Sequence, residues 1–251
     1  MLPLIAATYS FCLPAVETLT YNVEGVTRRA DVFAPSQSSS HPPLVFGFHG
    51  HGGNSRNAAR SFQMHKEWPE AVVVYMQGLP TAVQRTDPEG KRAGWQIAAG
   101  QNGDRDLKFF DAVYTDVTMR FGVDLDRVYA MGHSNGGRFT YLLMQLRGSR
   151  FAAFAPSGSP SPVIGMSIKP VFHIAGEKDP LVNFSGQSQT LDLIKKRNGC
   201  DRGIKTGKYT TLYKGKDGND VVAYFHPGGH EYPRSDAPAL IVDFFKSHTR
   251  D

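Results

Sequence analysis

The sequence predicts an α/β protein, with a mostly parallel central sheet of about eight strands and helices on both faces. Three observations carry this. Short continuous apolar runs that end in glycine, such as "PPLVFGFHG" (42–50), have the pattern of strands buried on both faces. Through the middle of the chain these runs alternate with segments of helical spacing, as βαβ units do. The 251 residues, 40% of them hydrophobic, are enough to bury one large core, and a single domain over 1–251 is expected.

Taken in order, the first segment is "MLPLIAATYSFCLPA" (1–15). It is apolar but too short to span a bilayer, and no Lys or Arg precedes Arg28. It reads as the remnant of a signal segment or as an ordered N-terminal arm, which leaves a secreted or periplasmic location suspected and a cytoplasmic one open. "ETLTYNV" and "RRADVFA" alternate as two strands of a hairpin around Glu24-Gly25. "PPLVFGFHG" is the next strand. Asn54 then caps a helix running to about His65, and "AVVVYM" returns to the sheet.

Gln77 to Gly103 is a long irregular stretch, and loops of that length inside a compact domain are usually functional or disordered. "DLKFFDAVYTDVTMRFG" is a helix with Gly122 past its end, "RVYAMG" a strand, and "GGRFTYLLMQLRG" a helix. "FAAFAPSG" and "KPVFHIAGE" are two more buried strands. "SGQSQTLDLIKKRNG" is a helix, "KYTTLYKG" and "DVVAYFHPG" are adjacent strands around "KDGN", and "DAPALIVDFFKSH" closes as a helix with Pro238 in its first turn.

Charge and cysteine content exclude several classes. A net charge of +5 is mild, and the densest basic cluster, "IKKRNGCDRGIKTGKY", lacks the regular aromatics of a single-strand binder, so no nucleic-acid partner is expected. Cys12 and Cys200 cannot build a metal site alone; they read as two unrelated thiols, with one disulfide as the alternative. His41, His49, His51 and His65 have no carboxylate spacing of a zinc site, so no metal and no other cofactor is expected.

The chemistry starts at Gly132-His133-Ser134-Asn135-Gly136, a G-x-S-x-G between a strand and a helix. A sharp, strained turn there lifts a serine Oγ above the sheet edge, and the glycines admit close backbone approach. A helix N-cap is the plainer reading of the same serine. A nucleophile needs a base and an orienting acid. Asp179, after the strand "KPVFHIAG", is the acid candidate, with Glu177 as rival; His230, in "GGHEYP", is the base candidate, with His226 as rival. Serine, acid, histidine is the chain order of one convergent form of the triad. The loop His49-Gly50-His51-Gly52-Gly53 supplies an oxyanion donor, taken as the N–H of His51, and the N–H of Asn135 supplies the second. On this reading the Asn135 backbone matters and its side chain is replaceable.

With these residues in hand, the chain resembles the α/β-hydrolase serine esterases of the feruloyl-esterase and polyhydroxybutyrate-depolymerase type, in the first carbohydrate-esterase family. The resemblance runs from about Val32 to Phe245, through "FHGHGG", "DLKFFDAV", "RVYAMGHSNGGRFTYLL", "FAAFAPSGSP", "KPVFHIAGEKDPLV" and "PGGHEYP". It implies an α/β-hydrolase fold, with Ser134 as nucleophile, Asp179 as orienting acid and His230 as base. Trp95, in "AGWQIAAGQNGDRD", matches an aromatic-bearing loop of these enzymes, and wall of the acyl pocket and core residue are both open for it. Trp95 and His133 are the candidate substrate-binding residues.

The implied substrate is a small-molecule or polysaccharide-linked ester, hydroxycinnamoyl esters first, with acetyl esters and short polyhydroxyalkanoates next; no membrane partner is implied. Few cysteines, and no Ser/Thr-rich linker or polymer-binding module, set the sequence apart from many relatives and weigh against an insoluble polymer. A serine peptidase of the same fold, and a hydrolase fold without activity that serves as a binding protein, are the competing functions.

Overall fold

Why the chain forms a sheet buried on both faces is visible strand by strand in the computed structural model, which describes residues 16–250 apart from 38, 85 and 163. The opening hairpin pairs Val16–Val23 (β1) with Val26–Phe33 (β2), turning through Glu24 and Gly25, both at positive φ. Leu44–Phe48 (β3) and Val72–Met76 (β4) are buried at every position and pair in parallel. Alternate residues serve opposite faces: Phe46, Val72 and Val74 belong to one core, Val45 and Val73 to the other.

Between these two strands lie Ser55–Phe62 (α1) and Met64–Glu67 (α2). The expected single helix from Asn54 to His65 is therefore broken, at Gln63, which is left-handed at φ 51. Packing explains the break. Phe62 and Met64 are both buried, and two residues apart on one continuous helix they would point to nearly opposite sides. The long stretch after β4 is also more ordered than its composition suggests, since Leu79–Pro80 (β5) and Ala93–Gly94 (β6) form a small antiparallel ribbon.

Arg105–Phe121 (α3) ends at Gly122, in the left-handed region as predicted for a helix stop. Val128–His133 (β7), Asn135–Leu146 (α4), Ala153–Ser157 (β8), Val171–Gly176 (β9) and Phe184–Arg197 (α5) continue the alternation. Ile204–Lys205 (β10), Thr210–Tyr213 (β11) and Val221–His226 (β12) precede the closing helix Ala237–Lys246 (α6), with its early proline.

The main sheet has ten strands in the order β1-β2-β4-β3-β7-β8-β9-β12-β11-β10, where about eight were expected. The two-residue edge strand β10 has no period to read, which accounts for part of the difference. From β4 to β12 every pairing is parallel, and the antiparallel strands lie at the two edges. Helices α3, α4 and α5 cover one face through Phe109, Phe139, Leu143 and Leu191; α1, α2 and α6 cover the other through Phe62, Met64, Ile241 and Phe245.

A buried ion pair fastens the antiparallel edge to this body. Arg28 of β2 meets Asp106 of α3 at 2.8 Å, with both side chains essentially inaccessible. The chain runs from β3 outward to β4 and then crosses back to β7, so the carboxyl ends of β3 and β7 flank a topological switch point. Ligand crevices of open α/β sheets form at such points. Among the described residues no helix is long and apolar enough to cross a membrane. Cys200 is a free, half-buried thiol, and the expectations for residues 1–15 and Cys12 lie outside the described residues.

Candidate active site

At the end of β7 the chain turns so sharply that Ser134 takes φ 57 and ψ −120, before α4 begins at Asn135. A non-glycine residue at positive φ stores strain, which the surroundings must hold in place. Two glycines allow it. A methyl group on Gly136 would run into the carbonyl oxygens of Phe48 and His49, and one on Gly132 would run into Gly136. The Ser134 N–H donates to Ser157 O at 2.8 Å, and the Arg138 N–H donates to Ser134 O at 2.9 Å. Its side chain makes no helix-capping bond. Instead Oγ stands 2.8 Å from His230 Nε2, which removes the cap reading.

His230 reaches this point from the loop after β12, and its Nδ1 is 2.6 Å from Asp179 Oδ2. Asp179 comes from the loop after β9, with a side chain closed off from solvent. Its other oxygen accepts the N–H groups of Leu181 and Val182, both at 2.8 Å. Burial alone would raise this carboxyl's pKa. The hydrogen bond from His230 and the two backbone donors outweigh burial and hold it below the ordinary carboxylate range. A carboxylate on Nδ1 places the imidazole proton there and leaves the Nε2 lone pair to accept from the serine hydroxyl.

Neither rival enters this line. Glu177 is exposed on the same loop, and its backbone N–H donates to His226 O at 2.8 Å. His226 is buried at the end of β12, where its Nδ1 accepts from the Gly228 N–H at 3.3 Å. His133 flanks the line: its Nδ1 is 3.0 Å from Ser157 Oγ and its ring centroid 4.9 Å from that of His230. Burial pulls its pKa down to about 4, so the wall beside His230 is a neutral imidazole at pH 7.

The His49–Gly53 loop lies against the turn, as expected. A Cβ on Gly50 would sit 3.5 Å from both Ser134 Cβ and His133 O. The two histidines of the loop are occupied internally. His49 Nδ1 donates to Gly50 O at 2.8 Å and its Nε2 accepts from Gly78 N–H at 3.0 Å, while burial pulls its pKa down to about 4. His51 turns its Nε2 to Asp87 Oδ2 at 3.0 Å. His65 stacks on Phe33 and meets Tyr75 OH at 3.0 Å. Among the described residues, no cluster of three or more metal-ligating side chains is assembled.

Two expectations need correction. Trp95 is fully buried behind the glycine loop, stacked on Phe139, with its indole N–H donating to His49 O at 2.9 Å, so it takes the core role and not that of a pocket wall. The Asn135 side chain, read from sequence as replaceable, is engaged through both its polar atoms. Its Oδ1 accepts the Trp95 N–H at 2.7 Å and its Nδ2 donates to Trp95 O at 3.0 Å. Sequence reasoning missed this clamp, along with Ser157 and Asp87. The length of the 77–103 stretch was the one signal pointing toward it.

The fold and site define the class: the chain is an α/β-hydrolase in architecture. The acetyl xylan esterase from Aspergillus awamori superposes with a TM-score of 0.66 at 15% identity, covering 93% of this chain and 99% of that one. No family model matches the chain. By sequence it is similar to esterases. It is 28% identical to feruloyl esterase D of Neurospora crassa, across 91% of this chain and 85% of that protein. It is 29% identical to a bifunctional acetylxylan esterase/xylanase of Neocallimastix patriciarum, matching over 64% of this chain but spanning only 23% of that protein's length.

Proposed function

We propose that this protein is a serine carboxylic-ester hydrolase working through an acyl-enzyme. Ser134 Oγ attacks the ester carbonyl while His230 Nε2 takes its proton; Asp179 holds the imidazole tautomer and stabilises the imidazolium. The N–H groups of Asn135 and His51 receive the oxyanion, and the N-terminus of α4 adds its positive dipole end. The proton on Nε2 then passes to the leaving alcohol, and a water activated by the same nitrogen releases the acid. The observation that carries this reading is the unbroken line from Asp179 through His230 to a strained Ser134, at 2.6 and 2.8 Å.

For the substrate, the names of the sequence relatives favour a hydroxycinnamoyl or acetyl ester attached to a plant polysaccharide. A polymer-linked substrate of that kind fits an enzyme acting outside the cytoplasm as one catalytic domain. A neutral His133 beside the line is suited to an uncharged acyl group, and we assign it to the substrate wall.

Ser134→Ala is expected to lower kcat on p-nitrophenyl acetate by about 10⁶-fold, because triad members act as a unit. Residual activity within tenfold of wild type would remove Ser134 from the mechanism. Methyl ferulate, acetylated xylan and a soluble hydroxybutyrate oligomer, assayed side by side, rank the acyl classes. A peptide amide in the same panel separates the esterase from a peptidase.

A further inference from the structure

The Asn135–Trp95 contact ties together parts of the site that come from three separate segments. Residues 93–95 touch the glycine loop twice and the serine turn once. Ala93 O accepts the Gly52 N–H at 2.7 Å, and the Trp95 indole donates to His49 O at 2.9 Å. Both polar groups of the Trp95 backbone are taken by the Asn135 amide, at 2.7 and 3.0 Å. That pairing imitates a β-bridge with a side chain standing in for the neighbouring strand. There is no slack around it. A Cβ on Gly94 would lie 2.7 Å from His51 Nδ1 and 2.9 Å from Asn135 Oδ1, and Gly78 is pressed equally hard against Gly94.

We infer that the side chain of Asn135 is a positioning residue. Through Trp95 it sets the distance between the glycine loop and the first turn of α4, the two elements from which the proposed oxyanion donors come. This inference rests on the esterase reading above. The physical reason is that an oxyanion hole stabilises charge only if its donors are already in place when the charge forms. One donor is on the residue that carries the clamp; the other is on a glycine-rich loop, whose backbone is permissive and needs fixed partners to hold one geometry. Trp95, buried and stacked on Phe139, is the fixed post between them. This work needs no place at a pocket wall, because the indole N–H and the backbone of Trp95 do it.

Asn135→Ala removes both bonds, and Trp95→Phe removes the indole N–H together with part of the buried ring volume, while keeping an aromatic ring on Phe139. Each variant is to be assayed on p-nitrophenyl acetate, with the active fraction counted by a fluorophosphonate probe and folding followed by Tm. For Asn135→Ala, kcat per labelled site is expected to fall about 10²-fold with KM within about threefold of wild type, since misplacement of the donors weakens the transition state more than the ground state. Trp95→Phe is expected to cost about tenfold in the same parameter. The double variant should lose less than the product of the two, because both act on one loop.

A lowered Tm with kcat per labelled site within threefold of wild type would reduce Asn135 to a structural role and overturn the inference, as would full additivity of the double variant. Should Asn135→Ala not fold, Trp95→Phe alone decides: unchanged kcat overturns the proposal. The esterase reading fails in a different way, with a wild-type protein that neither hydrolyses the ester nor takes the probe at Ser134.

Discussion

At Asp179 the two carboxylate oxygens have different tasks, and a single substitution separates them. Oδ1 accepts two backbone N–H groups, so in Asp179→Asn the amide oxygen must stay there and the new NH₂ must face His230. The imidazole is then forced to carry its proton on Nε2, toward Ser134, where a lone pair is needed. The expected result is a loss of kcat of about 10⁴-fold with little change in fold, read from steady-state kinetics and Tm. Glu177→Gln, on the same loop but exposed, should stay within about twofold of wild type. The reverse ranking would mean that Glu177 is the acid. The proposed serine, acid and base were legible because each follows a recognisable strand. Choosing between Asp179 and Glu177 from sequence rested on the family resemblance, whereas the deciding fact is which side chain reaches His230.

The turn from β7 to α4 is where an element-scale test applies. Helix α4 approaches β3 so closely that Gly136 touches the carbonyl oxygens of Phe48, which is paired in the sheet, and of His49, which is held by the Trp95 indole. Gly136→Ala is therefore expected to cost several kcal/mol, on the order of 10 °C or more in Tm, measured by calorimetry. A Tm within 2 °C of wild type would mean that α4 can slide away from the sheet. The strands were legible element by element, because runs such as "LVFGF" and "VVVYM" are apolar at every position. The break at Gln63 was not, since nothing in a local window tells that Phe62 and Met64 must both be buried. The Asn135–Trp95 clamp was not either: it joins residues 40 apart, through a side chain whose local context explains only its backbone.

Across the whole molecule, stability is expected to depend on neutral histidines. Burial pulls the pKa values of His49, His65, His133 and His173 from 6.5 down to about 4. The unfolded chain takes up these protons near pH 6.5, while the folded chain resists them until about pH 4. Stability is thus fully present above pH 6.5 and is lost as pH falls toward 4. Asp179 extends the loss further down: its folded pKa lies below the ordinary value of 3.8, so its contribution is present above that value and vanishes as pH falls through the folded pKa. Calorimetry should show Tm nearly level from pH 8 to 7 and falling by more than about 10 °C between pH 6.5 and 4. A level Tm through that window would show that these rings can be protonated without unfolding.

The strand order has a consequence for how such a protein changes over time. Asp179 and His230 leave neighbouring strands, β9 and β12, and Gly176 packs directly on Gly229, so the two loops are seated on each other. Ser134 leaves β7, and between the two groups lies β8, which contributes no member of the line. The segment after β8 turns at Gly158, whose Cβ position is 2.9 Å from the ring of His133 and 3.2 Å from that of His230. It thus borders the line at both histidines, and is tied to β9 by the Gly158 N–H on Ile174 O and to α4 by Arg138 on Pro160 O. A longer or rewritten chain beyond that turn would change what borders the site while leaving the strands that carry Ser134, Asp179 and His230 in place.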